Sequence, residues 1–527
     1  MLESRRVRWS WMGGLLAAAL GLEMAALGGC GPQGGQGGGV PSADAPAKVA
    51  DGAALYAMNC AVCHGEQGRG DGKAAYLASP RPRDFSAGIY KIKSVAKGPP
   101  TDGDLLRVIS EGMPGSAMPA WKGHLSEAEM RAVLAHLKTL SPALAEAAPR
   151  APLAASPEPR VTEEGLANGR RFYEDAGCIA CHGPQGRGDG TSALELKDES
   201  GNPILPSDLT TGRFRGGNSA RDVWMRLWMG MPGTPMPSFS ETLTPEQTWD
   251  VAHYVASLRD RREPSLDPQP VIMACRLATL PRGLLDPAWK AVPATWVGVQ
   301  RLFFSLPGGA PAVSIRAAHD GKEMAFLLEW NDPTAESRAL RVQEFRDAVA
   351  LQFPLGHTPT FYGMGMPLKP VNIWHWKADW EADLVSRADV EDAYPDMAVQ
   401  SYPVSKGPVG EVGDTRLHDP IFRSGRAAGN PMSADERKSP VEDLFAEGLG
   451  TLTSQPPEQQ NVQGHGEWAN GCWRVLLRRS LSSADPHDVQ LRPGEATAIA
   501  LAVWDGAAKD RNGQKSVSVW VPLVIGK

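Results

Sequence analysis

Cys60-Ala61-Val62-Cys63-His64 recurs 118 residues later as Cys178-Ile179-Ala180-Cys181-His182. A Cys-x-x-Cys-His pentapeptide reads as the attachment site of a c-type haem. The two thiols add across the porphyrin vinyl groups, and the two-residue spacer sets their separation. The adjoining histidine lies under the iron as its proximal ligand. A single copy can be half of a zinc site or a redox dithiol, but two copies in the same surroundings favour haem. Two covalent haems follow as the expectation, one on Cys60, Cys63 and His64 and one on Cys178, Cys181 and His182.

The surroundings repeat as well. A short amphipathic helix precedes each pentapeptide, Gly52 to Tyr56 and Gly169 to Tyr173. A glycine-rich turn follows each, Gly65 to Gly72 and Gly183 to Gly190, where backbone must pass close to a porphyrin edge. Each unit then offers Gly-Met-Pro-Gly-x-x-Met-Pro with an aromatic beyond it, from Gly112 to Trp121 and from Gly230 to Phe239. Ser126-x-x-Glu129 and Thr244-x-x-Gln247 are capping boxes for a closing helix, with Pro245 at its first position. Second methionines again lie 118 residues apart, but Pro82-Arg83-Asp84-Phe85 and Pro206-Ser207-Asp208-Leu209 are offset by 124, so two length changes cancel.

This plan resembles the class I cytochrome c family over residues 51–140 and 161–262. The resemblance implies two all-α domains with a methionine thioether as distal iron ligand, placed at Met118 and Met236. Met113 and Met231 would pack beside the haems. A proline carbonyl, from Pro82 or Pro80 and from Pro206, would orient each proximal histidine. His124, His136 and His253 read as surface or helix-face residues. Sulfur opposite imidazole raises the haem potential and leaves no open iron site, which suits electron transfer.

At 527 residues the chain exceeds what one core organises. A net charge of -6 offers no basic surface for nucleic acid. Arg5, Arg6 and Arg8 precede a mostly apolar run from Trp9 to Leu27, which reads as an export signal over residues 1–30. Its end, Leu27-Gly28-Gly29-Cys30, resembles the lipobox of bacterial lipoproteins and implies lipidation of Cys30, with an ordinary secretory signal as the alternative. Residues 31–50 then form a flexible tether. The expected location is the periplasmic or cell-surface side of a membrane. Residues 141–160, rich in Ala and Pro, read as a semi-rigid linker, and 260–270 as a charged boundary. Of seven cysteines, Cys275 and Cys472 are left over, either as a disulfide or as two separate thiols.

From Val271 to Lys527 the apolar period changes to two. Residues 312–319 and 324–330 flank Asp320-Gly321 as a hairpin. Further strands are expected over 347–353, 371–376, 473–477, 496–504 and 517–525, which argues a mainly antiparallel β-sandwich. Ten of the sixteen tryptophans fall here, enough for an aromatic core or pocket. Specific residues resemble the haem-b domain of ethylbenzene dehydrogenase gamma subunits: Asp347 to Pro354, Phe361 to Gly365, Pro370 to Asp379, Gly429-Asn430-Pro431, Gly450 to Thr453, Trp473 to Arg479, Val503 to Gly506 and Gly513 to Trp520. That family holds its b-haem iron with a methionine and a lysine. The corresponding residues are Met364, with Met366 as the alternative, and Lys515. A lysine ligates only when neutral, so burial must lower its pKa. His375 is a rival ligand on a strand between Trp374 and Trp376.

The resemblances together imply an exported, lipid-tethered electron relay with two haem c and one haem b, and no substrate chemistry of its own. Family gamma subunits accompany a molybdenum-containing catalytic subunit and an iron–sulfur subunit of the dimethyl sulfoxide reductase class, and pass electrons to or from a soluble or membrane carrier. Three other readings remain: a stand-alone lipoprotein dihaem cytochrome, a dihaem peroxidase-like enzyme, and a cytochrome fused to a carbohydrate-binding module.

Overall fold

The computed structural model describes residues 51–259, 266–267, 269–301, 312–356, 362–388, 390–396, 430–431 and 437–527. All of these fall within one body of contacts, Gly39–Lys527. The expected signal, tether and lipidated Cys30 lie outside the described residues, as do Phe361 and Gly429.

The first unit contains α1 (Gly52–Asn59), α2 (Ala61–His64), α3 (Asp102–Glu111), α4 (Glu127–Leu140) and α5 (Pro142–Ala145). The second contains α6 (Glu163–Asp175), α7 (Ile179–His182), α8 (Ala220–Met229) and α9 (Pro245–Ser257). Both expected capping boxes form, with Ser126 and Thr244 each accepting from the backbone three residues on. In each unit the first helix crosses the long closing helix, α4 or α9, at a glycine. A Cβ on Gly52 would lie 2.1 Å from the Ala132 carbonyl oxygen, and one on Gly169 would lie 2.1 Å from that of Asp250. No side chain fits there, so these glycines fix how closely the helices approach.

The Ala/Pro stretch between the units is bound along its length. Leu144 is buried, the Leu153 N–H donates to the Ser94 carbonyl at 2.6 Å, and Trp249 Nε1 donates to Ser156 Oγ at 2.9 Å. His253, read from sequence as a surface or helix-face residue, is buried and meets Glu158 at 3.2 Å.

Among the described residues, the third unit is built on fourteen strands. They are β1 (Ile272–Arg276), β2 (Thr295–Gly298), β3 (Gln300–Arg301), β4 (Ala312–His319), β5 (Glu323–Asn331), β6 (Ala348–Pro354) and β7 (Val371–Lys377). There follow β8 (Val441–Ala446), β9 (Thr453–Ser454), β10 (Gln463–Ala469), β11 (Cys472–Ser480), β12 (Ala496–Trp504), β13 (Ser516–Val517) and β14 (Val521–Ile525). The main path runs β10-β11-β5-β4-β1-β14-β12-β6-β7-β8-β9. Pairing is antiparallel except where β1 lies parallel to both β4 and β14. β12 links the two halves: Ala496 to Ile499 pair with β14, and Ala500 to Trp504 pair with β6.

Alternation sorts the side chains of β6, β7 and β12 onto two faces. Val349, Leu351, Phe353, Trp374, Trp376 and Leu501 enter a core with Phe326, Trp330 and Trp473 from the other half. Aromatic rings meet across it, Phe353 with Trp374 at 4.8 Å and Trp376 with Trp473 at 5.0 Å. On the opposite face the same strands carry small residues, Ala348, Ala350, Ala500 and Ala502, beside Ile373 and Trp504. That face is the floor of a cavity. Cys472 is a free thiol, so it is not bridged to Cys275.

Candidate functional site

The two pentapeptides sit in matching scaffolds. α1 and α6 deliver Tyr56 and Tyr173, whose buried hydroxyls donate to the carbonyls of Gly65 and Gly183 at 2.7 and 2.8 Å. These bonds anchor the turn just beyond each histidine. His64 Nδ1 lies 3.0 Å from the Arg83 carbonyl and His182 Nδ1 lies 3.1 Å from the Ser207 carbonyl. The expected acceptors, Pro82 and Pro206, are each one residue too early. Their carbonyls instead abut the glycine turns, where a Cβ on Gly70 would lie 2.6 Å from the Pro82 oxygen and one on Gly188 would lie 2.9 Å from that of Pro206. With Nδ1 donating, Nε2 keeps its lone pair for iron. Burial holds both imidazoles below the usual histidine range, in the neutral form that ligates.

Each pentapeptide opens on a largely apolar cavity. Cys60, Cys63, His64, Met113 and Met118 line the first, and Cys178, Cys181, His182, Met231 and Met236 line the second. Both methionines of each pair therefore reach the cavity. The loop carrying them is closed by bonds from Met113 N to Met118 O at 3.0 Å and from Met231 N to Met236 O at 3.1 Å. His124, His136 and His253 line neither cavity. Burial pushes the Cys60 thiol up to about 12 and those of Cys63 and Cys178 up to about 11. Zinc sites and redox dithiols use thiolates, which this burial disfavours. The donor set fits a covalent haem with imidazole and thioether ligands.

A third cavity of about 700 Å³ lies on the small-residue face of β6, β7 and β12. This is a cofactor-sized volume, within the ~300–1,000 Å³ usual for such sites. Met364 and Lys515 both line it, whereas Met366 does not. Met366 belongs instead to a turn bridged to Lys369. Met364 has a left-handed φ of 73°, with its carbonyl bonded to Gly448 N at 2.8 Å. Such a conformation is costly for a side-chain-bearing residue and points to a positional requirement. Burial lowers the Lys515 amine to about 8, and its Nζ lies 4.7 Å from the Trp504 ring centre. His375 also faces this cavity, stacked on Trp504 at 4.6 Å, and its buried Nε2 has no hydrogen-bond partner among the described residues. The chemistry of this set, a thioether and an amine eased toward its neutral form over an alanine floor, fits a flat apolar macrocycle with an iron centre.

The three cavities share walls. Cys63, Ala78, Ala117 and Tyr362 line both the first and the third, and the Tyr362 hydroxyl donates to the Ala117 carbonyl at 2.5 Å. Arg215 of the second unit lines both the first and the second. The spatial order is third, first, second, which differs from the order along the chain. Sequence reading missed Tyr362 and Arg215 as site residues, because no local pattern marks contacts made across 245 and 100 residues.

Two separated domain types, each with cavities built for iron porphyrin, define a haem protein of composite family. Residues 49–141 and 166–259 match the family described as Cytochrome c, and residues 286–516 match Ethylbenzene dehydrogenase. The chain thus joins two cytochrome c domains to an ethylbenzene dehydrogenase-type domain, which imply haem c and haem b respectively. A Haloferax mediterranei protein described as a respiratory nitrate reductase heme subunit is 26% identical over 45% of this chain and 66% of its own length. The chlorate reductase subunit gamma of Ideonella dechloratans is 24% identical over 44% and 74%. A chain of the Kuenenia stuttgartiensis reducing HAO-like protein complex is 42% identical over 40% of this chain and 96% of its own, with a TM-score of 0.39. The match therefore spans about two thirds of the first curated relative.

Proposed function

We propose that this chain is the haem-bearing electron-transfer subunit of an exported oxidoreductase complex. Electrons pass between a molybdenum- and iron–sulfur-containing partner of the dimethyl sulfoxide reductase class and a soluble or membrane respiratory carrier. Their path runs through a b-type haem in the third unit, a c-type haem in the first and a c-type haem in the second. The observation that carries this reading is the shared wall. Tyr362 and Cys63 line the third and first cavities at once, so porphyrins held in the two would face each other across these side chains. Subunit names of the relatives, nitrate reductase heme subunit and chlorate reductase subunit gamma, support a role beside a catalytic partner.

In this reading Cys60, Cys63, Cys178 and Cys181 would carry the haems, and His64 and Met118, and His182 and Met236, would hold their iron. Met364 and Lys515 hold the b-haem iron. The chain's own residues position iron and exclude water; the haems supply the one-electron chemistry. Cys30 carries a lipid that tethers the chain on the periplasmic or cell-surface side. The chain performs no substrate chemistry. The carbohydrate-binding alternative loses support because none of the third unit's ten tryptophans is exposed, whereas a sugar platform needs exposed rings.

A pyridine haemochrome assay of the full chain tests the reading, with two c-haems and one b-haem per chain as the expected result. Met364→Ala is expected to lose most of the b-haem, and Met366→Ala to retain it. Two c-haems alone would refute the third-unit assignment. Two open, high-spin irons would favour the peroxidase-like alternative.

A further inference from the structure

We propose that Arg215 and Lys91 form one cationic junction that binds propionate carboxylates of both c-haems. The proposal rests on the reading that both cytochrome c units carry haem.

The two residues are equivalents. At the offset of 124 that aligns Pro82 with Pro206, Lys91 matches Arg215 and Ile92 matches Gly216. These loops meet face to face: a Cβ on Gly216 would lie 2.7 Å from Ile92 Cδ1. Lys91 lines the first cavity, and Arg215 lines the second and reaches into the first. Arg215 Nε and Nη2 donate to the Gly115 carbonyl at 3.3 and 3.1 Å, within the loop that carries Met113 and Met118. No carboxylate pairs with Arg215 among the described residues, and neither cavity is lined by an aspartate or glutamate. Arg83 and Arg226, the neighbouring arginines, have acids at hand, Arg83 as an ion pair with Glu199 and Arg226 in the field of Asp222.

A half-buried guanidinium bound only to a carbonyl is left short of partners unless an anion completes it. Haem is apolar except at its two propionates, so in an apolar cavity those are the only anions it can offer. Arg215 retains donors beyond the two spent on Gly115, and its planar fork suits a carboxylate. Burial lowers Lys91 to about 8, with Arg83 and Arg215 adding to the effect and Glu199 and Asp198 opposing it. The junction is thus short of negative charge before haem arrives. The Arg107–Asp222 ion pair, at 2.8 Å on the surface, also joins the two units, and it supplies a control that concerns docking alone.

The test is a spectroelectrochemical titration of the full, haem-loaded chain. Removing a cation beside a haem favours the ferric form, so Arg215→Gln should lower the midpoints of both c-haems. The larger shift should reach a tenfold change in the ferrous-to-ferric ratio, about 59 mV for one electron. Arg215→Lys, which keeps the charge, and Arg107→Gln should hold both midpoints within about a third of that shift. A change confined to one haem or to neither overturns the proposal, as does an equal fall in Arg107→Gln or in Arg215→Lys. One readout needs no variant. In redox-difference infrared spectra of the wild-type chain with haem labelled ¹³C at the propionates, label-sensitive carboxylate bands are expected, and difference bands indifferent to the label overturn it. A chain without c-haem fails the underlying reading; unmoved midpoints in a loaded chain fail this inference alone.

Discussion

Lys515 and Asp347 show opposite outcomes of one cause in the same unit. Desolvation disfavours whichever form is charged. It lowers the Lys515 amine to about 8 and raises the Asp347 carboxyl to about 7, the latter with help from Asp332. For lysine this eases loss of the proton that a ligating nitrogen must shed. For Asp347 it imposes a pH dependence. The folded state holds a proton that the unfolded state, near 3.8, has already released, so between about pH 4 and 7 stability falls as pH rises. Asp347 accepts from Glu336 N at 2.7 Å, Gly506 N at 2.8 Å and Trp473 Nε1 at 3.0 Å. Asp347→Asn misplaces one of these at every pH but cannot ionise. Relative to wild type, the thermal midpoint of the variant, followed by tryptophan fluorescence, should therefore be higher at pH 8 than at pH 4.5. An equal difference at both would refute the assignment. At this scale the pentapeptides were legible because covalent chemistry fixes their spacing. The carbonyls of Arg83 and Ser207 were not, since register at a turn is decided by where the glycines let the chain approach.

The helix crossings at Gly52 and Gly169 show what a missing side chain does for an element. Because a Cβ at Gly169 would meet Asp250 backbone at 2.1 Å, Gly169→Ala must push α6 from α9. A destabilisation of about 1–3 kcal/mol is expected from such overpacking, read as a lower thermal midpoint for the second c-haem with the first unchanged. Strands with clean alternation were legible nearly to the residue, as β4, β6, β7 and β12 were. The expected strand over 517–525 divides into β13 and β14, because Ser518 turns aside to exchange bonds with Leu501, donating to its carbonyl at 2.9 Å and accepting from its N–H at 2.8 Å. β1 and β8 escaped notice for different reasons. Ile272–Arg276 is short and pairs with Leu523, far along the chain, while Glu442 and Asp443 put two acids inside a strand that is buried nonetheless.

At the scale of the whole molecule, the order of the units along the chain and the order of the cavities in space differ. The third, first, second arrangement predicts that the first unit's haem is obligatory for current and the second's is terminal. Cys60→Ala with His64→Ala leaves Cys63 in the b-cavity wall. After rapid reduction of haem b, that variant should reduce the second c-haem more than an order of magnitude more slowly than wild type. Cys178→Ala with His182→Ala should leave transfer from haem b to the first c-haem unchanged. Undiminished transfer in the former would show that the order is wrong. None of this was legible beforehand, since Tyr362 and Ala117 are 245 positions apart and no periodicity reports a contact at that range.

The shared wall also bears on how the protein is made. Cys63, Ala78 and Ala117 are side chains of a cytochrome c unit, yet they close a cavity whose floor belongs to a β-sheet. A haem held without covalent bonds stays only as long as its pocket remains shut. A porphyrin in the third cavity would then be retained only once the first unit is folded and docked against the sheet. On the proposed reading, loading of the third cavity would follow maturation of the first unit, so a failure at Cys60 and Cys63 would also empty a site in a different domain.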